Sequence, residues 1–344
     1  MAELTGQPLI MEGPGWADYG LVDSGHGRKF ERYGPYRFIR PEPQAMWSPR
    51  LGEWEAHAEF VPASDEDGGG RWVFDREVPQ DGWPLAWDDV RFTAQCTPFR
   101  HLGFFPDMAP VWDWMRGQLD PPRNGEGDHP QGGGGAGPAG RHPRGHDHSP
   151  VPLHPRPAAG GPPPPEGEGS STLNLFGYTG VGTLALSQCG PVTHVDASKK
   201  SVAQAKENAA LSGMEDRPVR WLVDDAAKFA AREVRREKRY DGIILDPPKF
   251  GRGPDGEVWR LEEGLPGLIA DCRRLLDEES RFLFLTVYAV RMSSLAIGGL
   301  LAEAFANLPG TIEHGELAVR EEGAMDGEGG RLLPTAIFAR WRNC

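Results

Sequence analysis

Apolar and polar positions alternate most regularly from Thr172 onward, where short β-branched and aromatic runs take turns with stretches of helical period. The pattern predicts strands at Leu173–Phe176, Val192–Val195, Val219–Val223, Gly242–Leu245, Phe282–Val287, Ile312–Val319 and Pro334–Trp341. Helices are expected at 181–188, 199–212, 226–238, 262–277 and 293–307. Ser198 stands where a hydroxyl can cap the second helix, and Gly213 where a left-handed turn can end it. Strands alternating with helices imply a parallel sheet covered on both faces. The last two strands have no helix between them and should pair antiparallel. The expectation for 172–344 is an α/β, doubly wound, seven-stranded sheet ending in a hairpin.

The pattern changes upstream. Residues 1–118 hold eight of the eleven tryptophans and short β-like runs at Ala56–Val61, Arg71–Val78 and Val90–Cys96, separated by Gly, Pro and Asp clusters. They predict a small β-rich domain closing on a helix that starts at Val111–Gln118, with Trp112 and Met115 on one face. Residues 119–171 carry no hydrophobic period. Their Gly, Pro, His and Arg cannot bury enough apolar surface to offset ordering entropy, so the tract is expected to be a disordered insert. Its five histidines are irregularly spaced, and a solvated linker suits them better than a metal site.

Composition narrows the function. A net charge of −13 argues against a large standing electrostatic footprint for nucleic acid, though a local basic patch remains compatible with it. Cys96, Cys189, Cys272 and Cys344 lie far apart, without zinc spacing, as expected of reduced thiols in a cytoplasmic protein. No signal-peptide pattern or bilayer-length apolar run is present, so a soluble chain without a membrane partner is expected. No metal is expected.

The chemistry gathers at the strand ends. The first strand runs into Phe176-Gly177-Tyr178-Thr179-Gly180-Val181-Gly182, where glycines admit a ligand close to the backbone and a helix N-terminus faces it. A plain tight turn is the alternative. The second strand ends on Asp196, 16 residues past Gly180, placed to accept from ribose hydroxyls or to cap the next helix. After the third strand, Asp224-Asp225-Ala226 offers a carboxylate to an adenine amino group, with helix capping again the other reading. The fourth strand exits into Asp246-Pro247-Pro248-Lys249-Phe250. Two prolines lock an extended acidic turn, which suits methyl transfer to a planar or flipped base better than hydride transfer. Lys249, Arg252 and Arg260 flank that turn, with Phe250 and Trp259 as candidate stacking partners. The basic run Lys228–Arg239 reads as a solvated helix face.

Taken together, Asn174–Asp246 resembles the S-adenosylmethionine (SAM) core of class I methyltransferases, a Rossmann-like fold. Asp246–Phe250 is closer still to the bacterial 23S ribosomal RNA methyltransferases of the cytosine and guanine type. The strip Gly103-Phe104-Phe105-Pro106-Asp107, ahead of Trp112-Asp113-Trp114, is similar to the short motif preceding their SAM domain. The resemblance covers about 90–118 and 172–341. It implies SAM as cofactor and ribosomal RNA as partner. Phe176, Gly177, Tyr178, Thr179 and Gly180 would then flank the methionine part, Asp196 the ribose, Asp225 and Ala226 the adenine. Asp246, Pro247, Pro248, Lys249 and Phe250 would line the reaction centre. The cysteine nucleophile of the cytosine-C5 members has no counterpart after the fifth strand, which reads Leu285-Thr286-Val287-Tyr288-Ala289-Val290. A ring nitrogen or exocyclic amine is therefore the better acceptor. Other readings are a protein or small-molecule methyltransferase, and a non-catalytic SAM-fold protein that binds a partner through its Trp-rich N-terminal part.

Overall fold

A computed structural model describes residues 2–13, 16–63, 69–119, 170–288, 290–323 and 329–343. The Gly/Pro-rich tract expected at 119–171 lies almost wholly outside the described residues.

The N-terminal part is built from β1 (Glu3–Leu4), β2 (Leu9–Glu12), β3 (Tyr19–Gly25), β4 (Arg28–Tyr33), β5 (Tyr36–Pro41), β6 (Ala58–Pro62), β7 (Gly70–Phe74), β8 (Trp83–Trp87) and β9 (Val90–Ala94). A short 3-10 turn, Pro106–Met108, leads into α1 (Ala109–Leu119), which buries Trp112 and Met115 together as its period requires. From 172 the order is β10 (Thr172–Leu175), α2 (Val181–Leu186), β11 (Val192–Asp196), α3 (Lys199–Leu211), β12 (Val219–Val223), α4 (Ala226–Arg235) and β13 (Gly242–Leu245). A hairpin of β14 (Phe250–Arg252) and β15 (Val258–Arg260) follows. Then come α5 (Leu261–Arg274), β16 (Phe282–Val287), α6 (Ser294–Ala304), β17 (Thr311–Arg320) and β18 (Leu332–Arg342).

All seven expected strands form one sheet, and the last two pair antiparallel, β16 with β18 and β18 with β17. The remaining members, β12, β11, β10, β13 and β16, run parallel. Two further strands join at the far edge: β1 and β2 both pair parallel with β17, making nine in all. They have two and four residues, too few to show a period.

Side-chain alternation divides the sheet between two cores. Ile244, Phe282, Phe284 and Phe338 face one way, into a cluster continuous with Tyr33, Phe38, Trp83 and Phe92 of the N-terminal strands. Ile243, Leu245, Leu283 and Leu285 face the other way, against Phe229 of α4, Leu268 of α5 and Leu301 of α6. The N-terminal strands thus cover one face of the sheet beside α1, α2 and α3.

Strands β3, β4 and β5 carry no clean apolar alternation because their interior holds a charge pair. Arg40 Nε and Nη2 donate to Glu31 at 2.7 and 2.8 Å, and Tyr19 Oη donates to the same carboxylate at 2.9 Å. A buried pair of this kind is satisfied internally but reads as polar in sequence.

Candidate functional site

Strand β10 is central, with β11 on one side and β13 on the other, so strand order reverses between β10 and β13. Ligands of open α/β sheets bind beyond the strand carboxyl ends at such a switch. The two segments leaving here are the glycine-rich turn and the Asp246 turn.

The glycine-rich turn is wound tightly. Phe176, Tyr178 and Gly180 all have left-handed backbones, with φ of 61°, 49° and 79°. Two non-glycine residues in that region carry strain that the surroundings must hold in place. Tyr178 N–H donates to Asp196 Oδ2 at 2.9 Å, and Gly177 N–H donates to the Val195 carbonyl at 3.0 Å. Thr179 Oγ1 donates to the Gly103 carbonyl at 2.7 Å, and Asn208 Nδ2 to the Thr179 carbonyl at 2.9 Å. A β-carbon on Gly177 would stand 2.4 Å from His194 Nδ1, so no larger residue fits there.

These contacts shape a cleft of about 450 Å³ between the turn and the strip from Phe104 to Trp112. Phe176, Gly177, Tyr178, Thr179, Gly180 and Asp246 all line it. Asn174, Met108 and Ile244 line it too and carried no sequence signal. Asn174 Nδ2 donates to Thr183 Oγ1 at 2.8 Å, and Thr183 meets His194 Nδ1 at 2.8 Å, bracing the turn from below.

Asp196 ends β11, outside the lining of the cleft. Each of its oxygens accepts a backbone N–H, from Tyr178 at 2.9 Å and from Ser198 at 2.8 Å. Burial pushes its carboxyl above the usual range, against the pull of those two N–H groups. The cap of α3 is Ser198, whose hydroxyl accepts from Ser201 N–H at 3.1 Å, and Gly213 after the helix has φ of 65°. Asp225 caps α4, accepting from Lys228 N–H at 2.8 Å, and Ala226 is buried in the second core. Asp225 and Ala226 do not line the cleft either. The capping reading thus holds for Asp225, which leaves its second oxygen for a ligand.

Asp246 sits at the cleft with Pro247 buried behind it. Burial, and then the charge of Asp107, push its carboxyl up to about 8. Pro248, Lys249 and Phe250 are exposed. Trp259 is 8% exposed, packs on Phe176 with ring centroids 5.3 Å apart, and donates from Nε1 to the Pro248 carbonyl at 2.7 Å. It therefore holds the hairpin to the turn and is not available for stacking, a correction to the sequence reading. The register puts Phe250 opposite Arg260 and Arg252 opposite Val258, and all four are exposed.

The basic run on α4 is paired locally: Lys228 with Glu257, Arg232 with Asp224, and Arg236 with Glu233. Cys272 is buried in α5 on the opposite face of the sheet, and burial pushes its thiol up. Among the described residues no cluster suited to a metal ion occurs, and no helix is long and apolar enough to cross a membrane. The cleft fits SAM. It offers tight glycine backbone, ring walls from Phe104, Phe105 and Phe176, and the Asp246 carboxylate just past β13.

Comparison with known proteins agrees. The family described as Conserved hypothetical protein 95 matches residues 163–253. Ribosomal RNA large subunit methyltransferase I of Shewanella denitrificans is 35% identical over 85 residues, 24% of this chain and 21% of that protein. Ribosomal RNA large subunit methyltransferase K/L of Vibrio cholerae is 32% identical over 121 residues, 34% of this chain and 16% of that one. The matched part therefore spans about a fifth or less of the length of these curated relatives. The crystal structure of a SAM-dependent methyltransferase from Agrobacterium tumefaciens superposes with a TM-score of 0.80 at 37% identity, covering 100% of this chain and 96% of that one. On that likeness over its whole length, the chain belongs to the SAM-dependent methyltransferases.

Proposed function

We propose that this methyltransferase modifies a base of ribosomal RNA, in the cytoplasm. The observation that carries the reading is the position of Asp246. It shares one cleft with the Phe176–Gly182 turn and is followed by a rigid Pro-Pro exit that opens on exposed Lys249 and Phe250. The names of the curated relatives, which match over this same segment, point to the same acceptor.

SAM, when bound, supplies an electrophilic methyl group on a positively charged sulfur. Gly177, Thr179 and Gly180, with Phe176 and Tyr178 beside them, would hold its methionine part. Asp196 would accept from the ribose, and Asp225, next to Ala226, from the adenine amine. Asp246, held between the proline exit and Asp107, orients the acceptor amine or ring nitrogen and takes up its proton. Lys249, Phe250, Arg252 and Arg260 form an exposed face beside the site, with cations for phosphate and a ring for stacking. The β-rich part, 1–118, serves as the substrate-recognition domain, with 119–171 an insert ahead of the methyltransferase domain, 172–344. No described cysteine lies in the cleft, so transfer is direct and needs no covalent enzyme–base adduct.

The test is methyl transfer from radiolabelled SAM to ribosomal RNA taken from cells lacking the gene and from wild-type cells. Label should enter the first RNA and spare the second, and mass mapping then names the nucleotide. Label entering only protein or small molecules in a lysate would replace the RNA reading.

A further inference from the structure

A second cavity, about 560 Å³, shares Phe104 and Phe105 with the cofactor cleft and reaches from there to the N-terminal strands. Its polar lining divides into groups that are fully paired with one another and a carboxylate that keeps acceptor capacity. Glu31 and Arg40 satisfy each other through two hydrogen bonds, Arg40 Nη1 also donates to the Arg100 carbonyl at 2.9 Å, and Glu31 takes up Tyr19 as well. They can offer a ligand little.

Asp107 differs. Asp107 is 6% exposed, its carboxylate accepts from Thr335 Oγ1 at 2.6 Å and from Tyr288, and burial pushes its carboxyl above the usual range against the pull of those bonds. Tyr288 Oη is buried, faces the carboxylates of Asp107 and Asp246, and has Asp107 as its hydrogen-bond partner. A carboxylate offers about four acceptor sites, so beyond Thr335 and Tyr288 Asp107 keeps lone pairs that a ligand's donor can complete. The apolar lining is aromatic. Phe105 and Tyr288 have ring centroids 5.1 Å apart, and His101 lies 5.4 Å from Phe105. Burial together with the charges of Arg40 and Arg100 lowers His101 to about 4, so it presents a neutral ring at pH 7.

We infer that this cavity is the acceptor subsite, where a base turned out of its strand lies among Phe105, His101 and Tyr288 and donates its exocyclic amine to Asp107. The inference rests on the RNA reading above and adds a selection rule to it. Enzymes that act on bases extrude them into pockets that stack the ring and read its edge. A buried carboxylate accepts from an amine but repels a carbonyl at the same edge position, so cytosine is favoured over uracil and adenine over hypoxanthine. Phe104 and Phe105 wall both this cavity, which holds Asp107, and the cleft that holds Asp246, which places the base edge next to the reaction centre. Lys29, in the same lining, is already matched by Glu42 at 3.3 Å.

The experiment titrates protein saturated with S-adenosylhomocysteine (SAH) with CMP against UMP and with AMP against IMP, by calorimetry. In at least one pair the amine-bearing member should bind about tenfold tighter, the scale of a hydrogen bond to a buried charged acceptor. Asp107→Asn should cancel or reverse that preference while leaving SAH affinity unchanged, because an amide can donate to the carbonyl that a carboxylate rejects. If this variant does not fold, Tyr288→Phe supplies the second reading and should weaken the preferred nucleotide at unchanged SAH affinity. Equal binding within both pairs, or a preference that survives Asp107→Asn, overturns the inference. Failure of the RNA reading shows separately: amine-selective binding would persist while wild-type protein left RNA unlabelled.

Discussion

Thr179 and Gly103 are 76 residues apart in sequence, yet the threonine hydroxyl donates to the glycine carbonyl at 2.7 Å. That bond ties the turn which shapes the cofactor cleft to the strip that walls it from the other side. Thr179→Val keeps the side chain's shape and leaves the carbonyl without this donor. The expected loss is about 1–3 kcal/mol of unfolding free energy, the usual cost of a buried group left unpaired. Denaturant titration should show it, and SAH affinity should fall with it because the two cleft walls lose register.

Asp196→Asn should weaken SAM binding by about 1.5–3 kcal/mol, the scale for hydrogen bonds to charged groups. The residue also holds Tyr178 and Ser198 by their backbone N–H groups, so the near-isosteric amide is a better probe than alanine. Calorimetric affinity that matches wild type would remove Asp196 from the ribose.

Asp246→Asn should lower turnover by about 10²–10⁴-fold, typical of an acid–base group, with SAH affinity little changed. Single-turnover methylation alongside SAH titration separates the two effects.

The Asp246 carboxyl stands at about 8, raised by burial and by the charge of Asp107, with Tyr288 the other titratable group facing it. The sign follows from proton linkage. A carboxyl raised in the folded state favours folding fully below its unfolded value, and that contribution is lost as pH rises toward about 8. Thermal stability of the cofactor-free protein should therefore decline from pH 5 to about 8, and Asp246→Asn should flatten the decline. SAM carries a positive sulfur and favours the ionised carboxylate, so its affinity should rise across the same window. SAH, which lacks that charge, should bind almost independently of pH there. Parallel pH profiles for the two ligands would move Asp246 away from the sulfur.

Gly180→Ala should unfold or strongly destabilise the protein. The residue has φ of 79°, and an added β-carbon would meet that of Ala205 at 2.7 Å. Left-handed strain costs about 1–2 kcal/mol for a non-glycine residue, and overpacking adds about 1–3. A melting curve with and without SAH measures both the loss and any rescue by ligand.

By itself the sequence determined where the seven main strands of the large sheet lie along the chain, and the antiparallel hairpin that closes them. It could do so because the central strands β10, β13 and β16 are buried throughout and the helices between strands bury one face, so period and burial coincide. Ser198 and Gly213 were legible for a similar reason, since capping is set by neighbours three residues away. Tertiary structure alone decided which polar groups meet. Glu31 and Arg40 hide three strands because their charges cancel only across β4 and β5. Trp259, next to the Asp246 turn in the chain, became a buried brace on Phe176 because the β14–β15 register turns it inward. Asp107, Tyr288 and Thr335 come from three distant segments, and no spacing in the chain connects them. Their proximity follows from packing the N-terminal strip over the ends of the sheet, a long-range contact that local pattern cannot encode.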